Sequence, residues 1–157
     1  RVLFRSGGIC MQISSRFTIA VHILLCIDTF QGKYKLTSEF LASSMHVNPV
    51  IIRKILSQLK AAGIVEVQRG SGGASIVGKL EEISFLDIYR AVECVEKEGL
   101  FHFHESPNPL CPVGRNIHQV LDGRLIQVQN ALERELEKMT LADVVKDART
   151  CMAKETE

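Results

Sequence analysis

Two groups of side chains in this sequence have types and spacings suited to chemistry. The first is a short stretch, Asn48-Pro49-Val50 with Arg53 and Lys54, followed by a glycine-rich turn, Arg69-Gly70-Ser71-Gly72. Arginine carries a planar fork of donors that can pair with guanine O6 and N7. Lysine neutralises phosphate, and a valine methyl fits against the methyl of thymine. Arg53 is therefore the first candidate for a base contact, Lys54 for a phosphate and Val50 for a thymine. Asn48 and Pro49 open the helix that carries them, and Arg16 and Ser38 are candidates for additional backbone contacts. The glycines let a backbone come close to a narrow minor groove, where Arg69 supplies charge. They fail as a dinucleotide fingerprint, because Gly70-x-Gly72 runs on to Ser75 and no helix opens there.

The second group is the thiols. There are five: Cys10, Cys26, Cys94, Cys111 and Cys151, none in a C-x-x-C pair. An odd number, with no secretory leader in the chain, points to a reducing compartment rather than a disulfide scaffold, and the expected location is the cytoplasm. Cys26 falls in an apolar stretch and is expected in the core. Cys111 immediately precedes Pro112, at the start of a helix whose N–H groups favour a thiolate. It is the candidate sensor thiol, with Cys94 as its resolving partner. His102 and His104, in Phe101-His102-Phe103-His104, would point the same way in an extended segment, but a lone loop pair is a weak metal site. No nucleophile–base pair, paired carboxylates or phosphate loop stands out. No catalytic residue, cofactor or bound metal is expected, so an enzyme is disfavoured.

The elements that position these residues follow from periodicity. Residues 13–30 form an apolar helix, with a stripe of Phe17, Val21, Leu24 and Leu25 and a second face of Ile23 and Ile27. Thr37 caps a short helix that ends near Ser44. Asn48-Pro49 opens the next, which buries Ile52, Ile55, Leu56 and Leu59 and presents Val50, Arg53, Lys54, Ser57 and Lys60; Gly63 ends it. Residues 64–68 and 74–77 form a hairpin around the glycine turn. Ser84 with Asp87 caps a helix running to about Glu98. Pro112 begins a long helix with apolar positions at Ile117, Leu121, Leu125, Val128, Leu132, Leu136 and Met139. Thr140 with Asp143 opens a last short one.

Charge divides along the same lines. Residues 11–80 hold eight Lys/Arg against three Asp/Glu, and residues 81–157 hold nine against fifteen, although the whole chain is only +1. The basic half suits a polyanion. The longest apolar stretch, Ile19 to Ile27, is too short to cross a bilayer, so no membrane partner is expected. Residues 1–10 match no element and read as an extension foreign to the natural chain, with Met11 its start. The expected fold is mostly helical with a small β wing: a winged helix-turn-helix domain at 11–80, then at 81–157 a linker helix, a loop and a long dimerisation helix. The long stripe would be the homodimer interface, since little other chain is left to cover it.

These residues resemble the Rrf2 family of winged-helix regulators, which includes IscR, NsrR and CymR. The resemblance rests on "MQISSRFTIAVHILL", on "NPVIIRKILSQLKAAGIVEVQRGSGGASI" and on the long C-terminal helix. The stretch "SPNPLCPVGRNI" is similar to the branch typified by YwnA. The resemblance implies a cytoplasmic dimer with its long helices crossed that controls genes by binding double-stranded DNA. The chain is expected to act there as a repressor, and the placement of Cys111 adds the expectation of a thiol-reactive input. Cluster-binding members carry three closely spaced cysteines after the wing. This chain has Cys94 and Cys111 there, sixteen residues apart in the intervening sequence, and no third. A metal-responsive regulator, supplemented by His102, His104 or His118, stays open as an alternative. So does one that acts mainly through a regulatory protein or a small-molecule effector.

Overall fold

The computed structural model describes residues 15–68, 73–92 and 106–154. The elements in order are α1 (Ser15–Phe30), α2 (Ser38–Met45), α3 (Pro49–Ala61), β1 (Val65–Gln68) and β2 (Gly73–Ile76). A 3-10 turn (Leu80–Glu82), α4 (Phe85–Val92), α5 (Pro112–Lys138) and α6 (Leu141–Lys154) follow. This is a winged helix with a long C-terminal helix, as the sequence predicts.

The caps that set α2 and α3 are local. Thr37 Oγ1 accepts the Phe40 N–H at 3.1 Å, and Asn48 Oδ1 accepts the Val50 N–H at 2.9 Å, with Pro49 in the first turn. Between them His46 takes a left-handed conformation, φ 51°, and turns the chain within three residues. Gly63, at φ +75°, closes α3: the Ile64 N–H reaches the Leu59 carbonyl and the Gly63 N–H the Lys60 carbonyl, each at 3.0 Å.

One core joins nearly every element. Ile23, Leu24 and Ile27 of α1 are fully buried with Leu41 of α2 and Ile52, Ile55 and Leu59 of α3. The stripe expected on α3 is thus the buried one. On α1 the emphasis differs: the deepest row is Ala20, Ile23, Leu24 and Ile27, while Phe17, Val21 and Leu25 are only partly buried. The reason is that α1 packs against both α3 and α4, which also touch each other, and Phe17 turns toward α4 to meet Phe85 and Tyr89 edge-on, ring centres 5.5 and 6.3 Å away.

The last helix returns to this core. Leu141 is fully buried and Val145 nearly so, and Arg149 pairs with Asp28 of α1 at 2.8 Å. At 14 residues α6 is longer than the short terminal helix expected. Its start is tied to the start of α4. Ser84 and Asp87 form one capping box, Thr140 and Asp143 another, each with the carboxylate accepting a backbone N–H at 2.9 Å. The two starts form a β-bridge: the Phe85 N–H donates to the Met139 carbonyl and the Leu141 N–H to the Ile83 carbonyl, both at 2.8 Å.

The hairpin pairs Val65 with Ile76 through to Gln68 with Gly73. It is anchored to the turn before α2, because the Ala74 N–H donates to the Leu36 carbonyl at 3.3 Å. Gly73 sits at φ +73°, and a Cβ there would lie 3.0 Å from Leu36 N and 3.1 Å from its O. Gly32 has a similar φ of +79° with nothing near. Gly32→Ala is therefore expected to cost about 1 kcal/mol in backbone strain alone, and Gly73→Ala about 2–3 kcal/mol. Urea unfolding of both variants checks this, and equal losses would contradict the close contact.

Candidate nucleic-acid interface

Burying Ile52, Ile55, Leu56 and Leu59 forces the opposite face of α3 outward. Val50, Ile51, Arg53, Lys54, Ser57 and Lys60 are all exposed. Val50 and Ile51 put two apolar side chains in the first turn, 63% and 42% exposed, whereas the sequence pattern points to Val50 alone. Ile51 sits next to the buried Ile52, and its hydrophobicity alone gives no sign that it faces outward.

Beside this face runs an open cleft of about 320 Å³, with Lys35, Ser38, Arg53, Ser57, Lys60 and Gln68 in its walls. It lies between α3, the residues leading into α2 and the root of the hairpin. Three cations line it, and it has the shape of a trough rather than an enclosed pocket. Such a trough can seat a phosphodiester strand while α3 reaches base edges. Lys35 is a cation that no sequence pattern singles out. What brings it here is the backbone contact between Leu36 and β2.

Arg53 is held from one side. Its Nη2 donates to Glu39 Oε1 at 3.1 Å and its Nε to Ser38 Oγ at 3.3 Å. The Ser38 hydroxyl in turn donates to Glu39 Oε2 at 3.1 Å. The backbone N–H of Glu39, at the start of α2, together with the Arg53 guanidinium and the Ser38 hydroxyl, holds the Glu39 carboxyl below the usual carboxylate range. Ser38, expected to touch a phosphate, is thus engaged with Arg53. Glu39 and Arg53 are fourteen residues apart with no local motif linking them, so the pairing was not legible beforehand.

The structure brings Ser38, Asn48, Pro49, Val50, Arg53 and Lys54 to one side of the molecule. Arg16 lies near the start of α1, beside the Phe17 that packs on α4, and does not line the cleft. Arg69, Gly70, Ser71 and Gly72 lie outside the described residues, though Gln68 and Gly73 place the hairpin root at the cleft.

The thiols divide by environment. Burial pushes the Cys26 thiol up, against a Ser44 hydroxyl 3.7 Å away, as suits a core residue. Cys111 is exposed at the N-cap of α5, where its carbonyl accepts the Arg115 N–H at 2.9 Å. Cys94, His102 and His104 lie outside the described residues, and His118 Nδ1 lies 3.1 Å from an Asp122 carboxylate oxygen.

No residue of the 27-residue α5 is buried. Of its expected stripe, Leu121 and Val128 are exposed, while Ile117, Leu125, Leu132 and Leu136 are half-buried. Val113, Val120 and Ile126 add exposed apolar surface outside that stripe. An ion pair, Arg90 to Glu133 at 2.7 Å, ties the second half of α5 to α4.

Comparison with known proteins agrees with this architecture. The family model Rrf2, described as an iron-dependent transcriptional regulator, matches residues 13–147. The HTH-type transcriptional regulator YwnA of Bacillus subtilis strain 168 is 43% identical over 134 residues, 85% of this chain and 97% of its own length. A crystal structure described as a DNA-binding protein is 38% identical with a TM-score of 0.67, covering 83% of this chain and 98% of that one. IscR of T. potens shares the fold with a TM-score of 0.63 at 22% identity, covering 87% of this chain and 88% of its own. Among the described residues no three His, Cys, Asp or Glu are placed to hold a metal ion, and Cys94, His102 and His104 lie outside them.

Proposed function

Because the chain belongs to the Rrf2 family of transcriptional regulators, we propose that it works as a cytoplasmic homodimer that reads a double-stranded DNA operator and represses transcription there. In this reading α3 enters the major groove, with Arg53 on a guanine and Val50 near a thymine methyl. The hairpin, with Arg69 and its glycines, follows the adjacent minor groove. Arg16 adds a backbone contact at the edge.

The observation that carries the DNA reading is the trough lined by Lys35, Arg53 and Lys60 beside an α3 face that carries no carboxylate of its own. Counterion release from phosphates then dominates affinity. Lys54→Ala and Lys60→Ala are each expected to weaken binding to all duplexes alike and lower the salt slope by about one unit. Arg53→Ala should cost about 1–3 kcal/mol on the operator and relax one base pair. Titration over several salt concentrations checks both, and equal losses on operator and random DNA for Arg53→Ala would refute the base contact.

The dimer reading is supported by the apolar face of α5, a helix about 40 Å long. Such a face in water favours association, and a second copy of the same helix offers a matching stripe. Leu121 and Val128 are exposed in the single chain, so charge there leaves its fold intact. Leu121→Asp with Val128→Asp is expected to sediment as a folded monomer with much weaker operator binding; a normal dimer would overturn the assignment. Cys111, at the joint before α5, is the proposed signal input, with Cys94 as its resolving thiol. Repeating the sedimentation and operator titration after mild peroxide should show release in the wild type but not in Cys111→Ser. Identical responses would make the thiol structural.

A further inference from the structure

The cycle around Arg53 has a consequence for how the protein selects sequence. An exposed ion pair adds little to folding stability, and here the side chains of Arg53 and Glu39 are 59% and 65% exposed. On a surface that meets a polyanion, a carboxylate also works against affinity, because it cancels one of three cations in the trough and repels phosphate. Neither stability nor attraction for DNA accounts for Glu39 at this place.

Geometry does. Ser38 Oγ and Glu39 Oε1 take the Nε and Nη2 donors of Arg53, which form one edge of the guanidinium. The hydroxyl of Ser38 closes the ring onto Glu39 Oε2. Both partners sit in the first turn of α2, fixed in turn by the Thr37 cap. The plane of the guanidinium is thereby set by a helix that is itself anchored in the core through Leu41. The other edge, Nη1 with the second hydrogen of Nη2, meets no acceptor among the described residues. That edge has the spacing to donate to guanine O6 and N7 together.

We propose that Glu39, with Ser38, is a positioning residue that orients Arg53 for one guanine and so determines sequence specificity rather than affinity. The proposal rests on the DNA-reading function of α3. Without the pair the guanidinium is a mobile cation that can reach phosphates or either purine, so binding survives while discrimination falls.

The test uses the full-length protein and a duplex selected from a random-sequence pool, set against an unselected duplex. Glu39→Ala is expected to lower the ratio of selected to random affinity on the order of tenfold, within the range of one bidentate base contact. Affinity for random DNA should hold or rise. The lost preference should fall on the base pair that Arg53→Ala also relaxes, and the double variant should be no worse there than Arg53→Ala. Glu39→Gln keeps an oxygen that accepts from Nη2 and should recover most of the discrimination. If Ala and Gln behave alike, the carboxylate acts by charge only and positioning is wrong. An unchanged ratio, a uniform loss on both duplexes, or a loss at another base pair also overturns it. Wild type is measured first: binding without selection would sink the DNA reading itself, whereas a selective wild type beside an indifferent Glu39→Ala would sink only the role of Glu39.

Discussion

The packing of α3 against α1 decides what this molecule presents to its surroundings. Ile52, Ile55, Leu56 and Leu59 are all at or near zero exposure, locked against Ile23, Leu24 and Ile27. Burial of each such side chain is worth about 1.5–3 kcal/mol, so rotating α3 to show another face would forfeit several of them at once. With that face committed, Arg53, Lys54, Ser57 and Lys60 have no direction left but outward. The same core also fixes α2, whose first turn carries Ser38 and Glu39, and the hairpin root, through the contact of Gly73 and Ala74 with Leu36. One set of apolar contacts therefore places both walls of the trough.

The second feature of the architecture is that the core is built from both ends of the described chain. Leu141 and Val145 return after α5 and bury themselves beside the elements from the first half. The bridge between Ser84 and Thr140 fixes where α5 ends and α6 begins. A long helix held firmly at its C-terminal end, and bearing apolar surface along its outer side, is well suited to join two copies at a set spacing. In the dimer proposed above, this helix would set the spacing between the two copies of α3.

Much of this was legible in the sequence, because it depends on local rules. The stripe of α3, the Asn48-Pro49 start, the Gly63 stop and the Ser84/Asp87 and Thr140/Asp143 capping boxes each involve residues a turn or less apart. The hairpin followed from β-rich runs around glycines. What the sequence hid depends on contacts distant in the chain. The partnership of Glu39 with Arg53, the arrival of Lys35 in the trough and the return of α6 onto α1 have no periodicity to announce them. The outward turn of Ile51 was hidden for another reason: apolar character alone does not tell a core residue from one that faces a ligand. The wing tip, Cys94 and the histidines of the loop lie outside the described residues, and their roles stay where the sequence put them, as expectations.

In the proposed dimer, two copies of α3 are held so that both read DNA at once. Genome-wide footprinting with the purified protein addresses this most directly. Protected sites are expected to hold two related half-sites in inverted orientation, centred about one helical turn, roughly 34–36 Å, or a multiple of it apart. Protection of single unpaired sites, or no sequence enriched over random DNA, would contradict it.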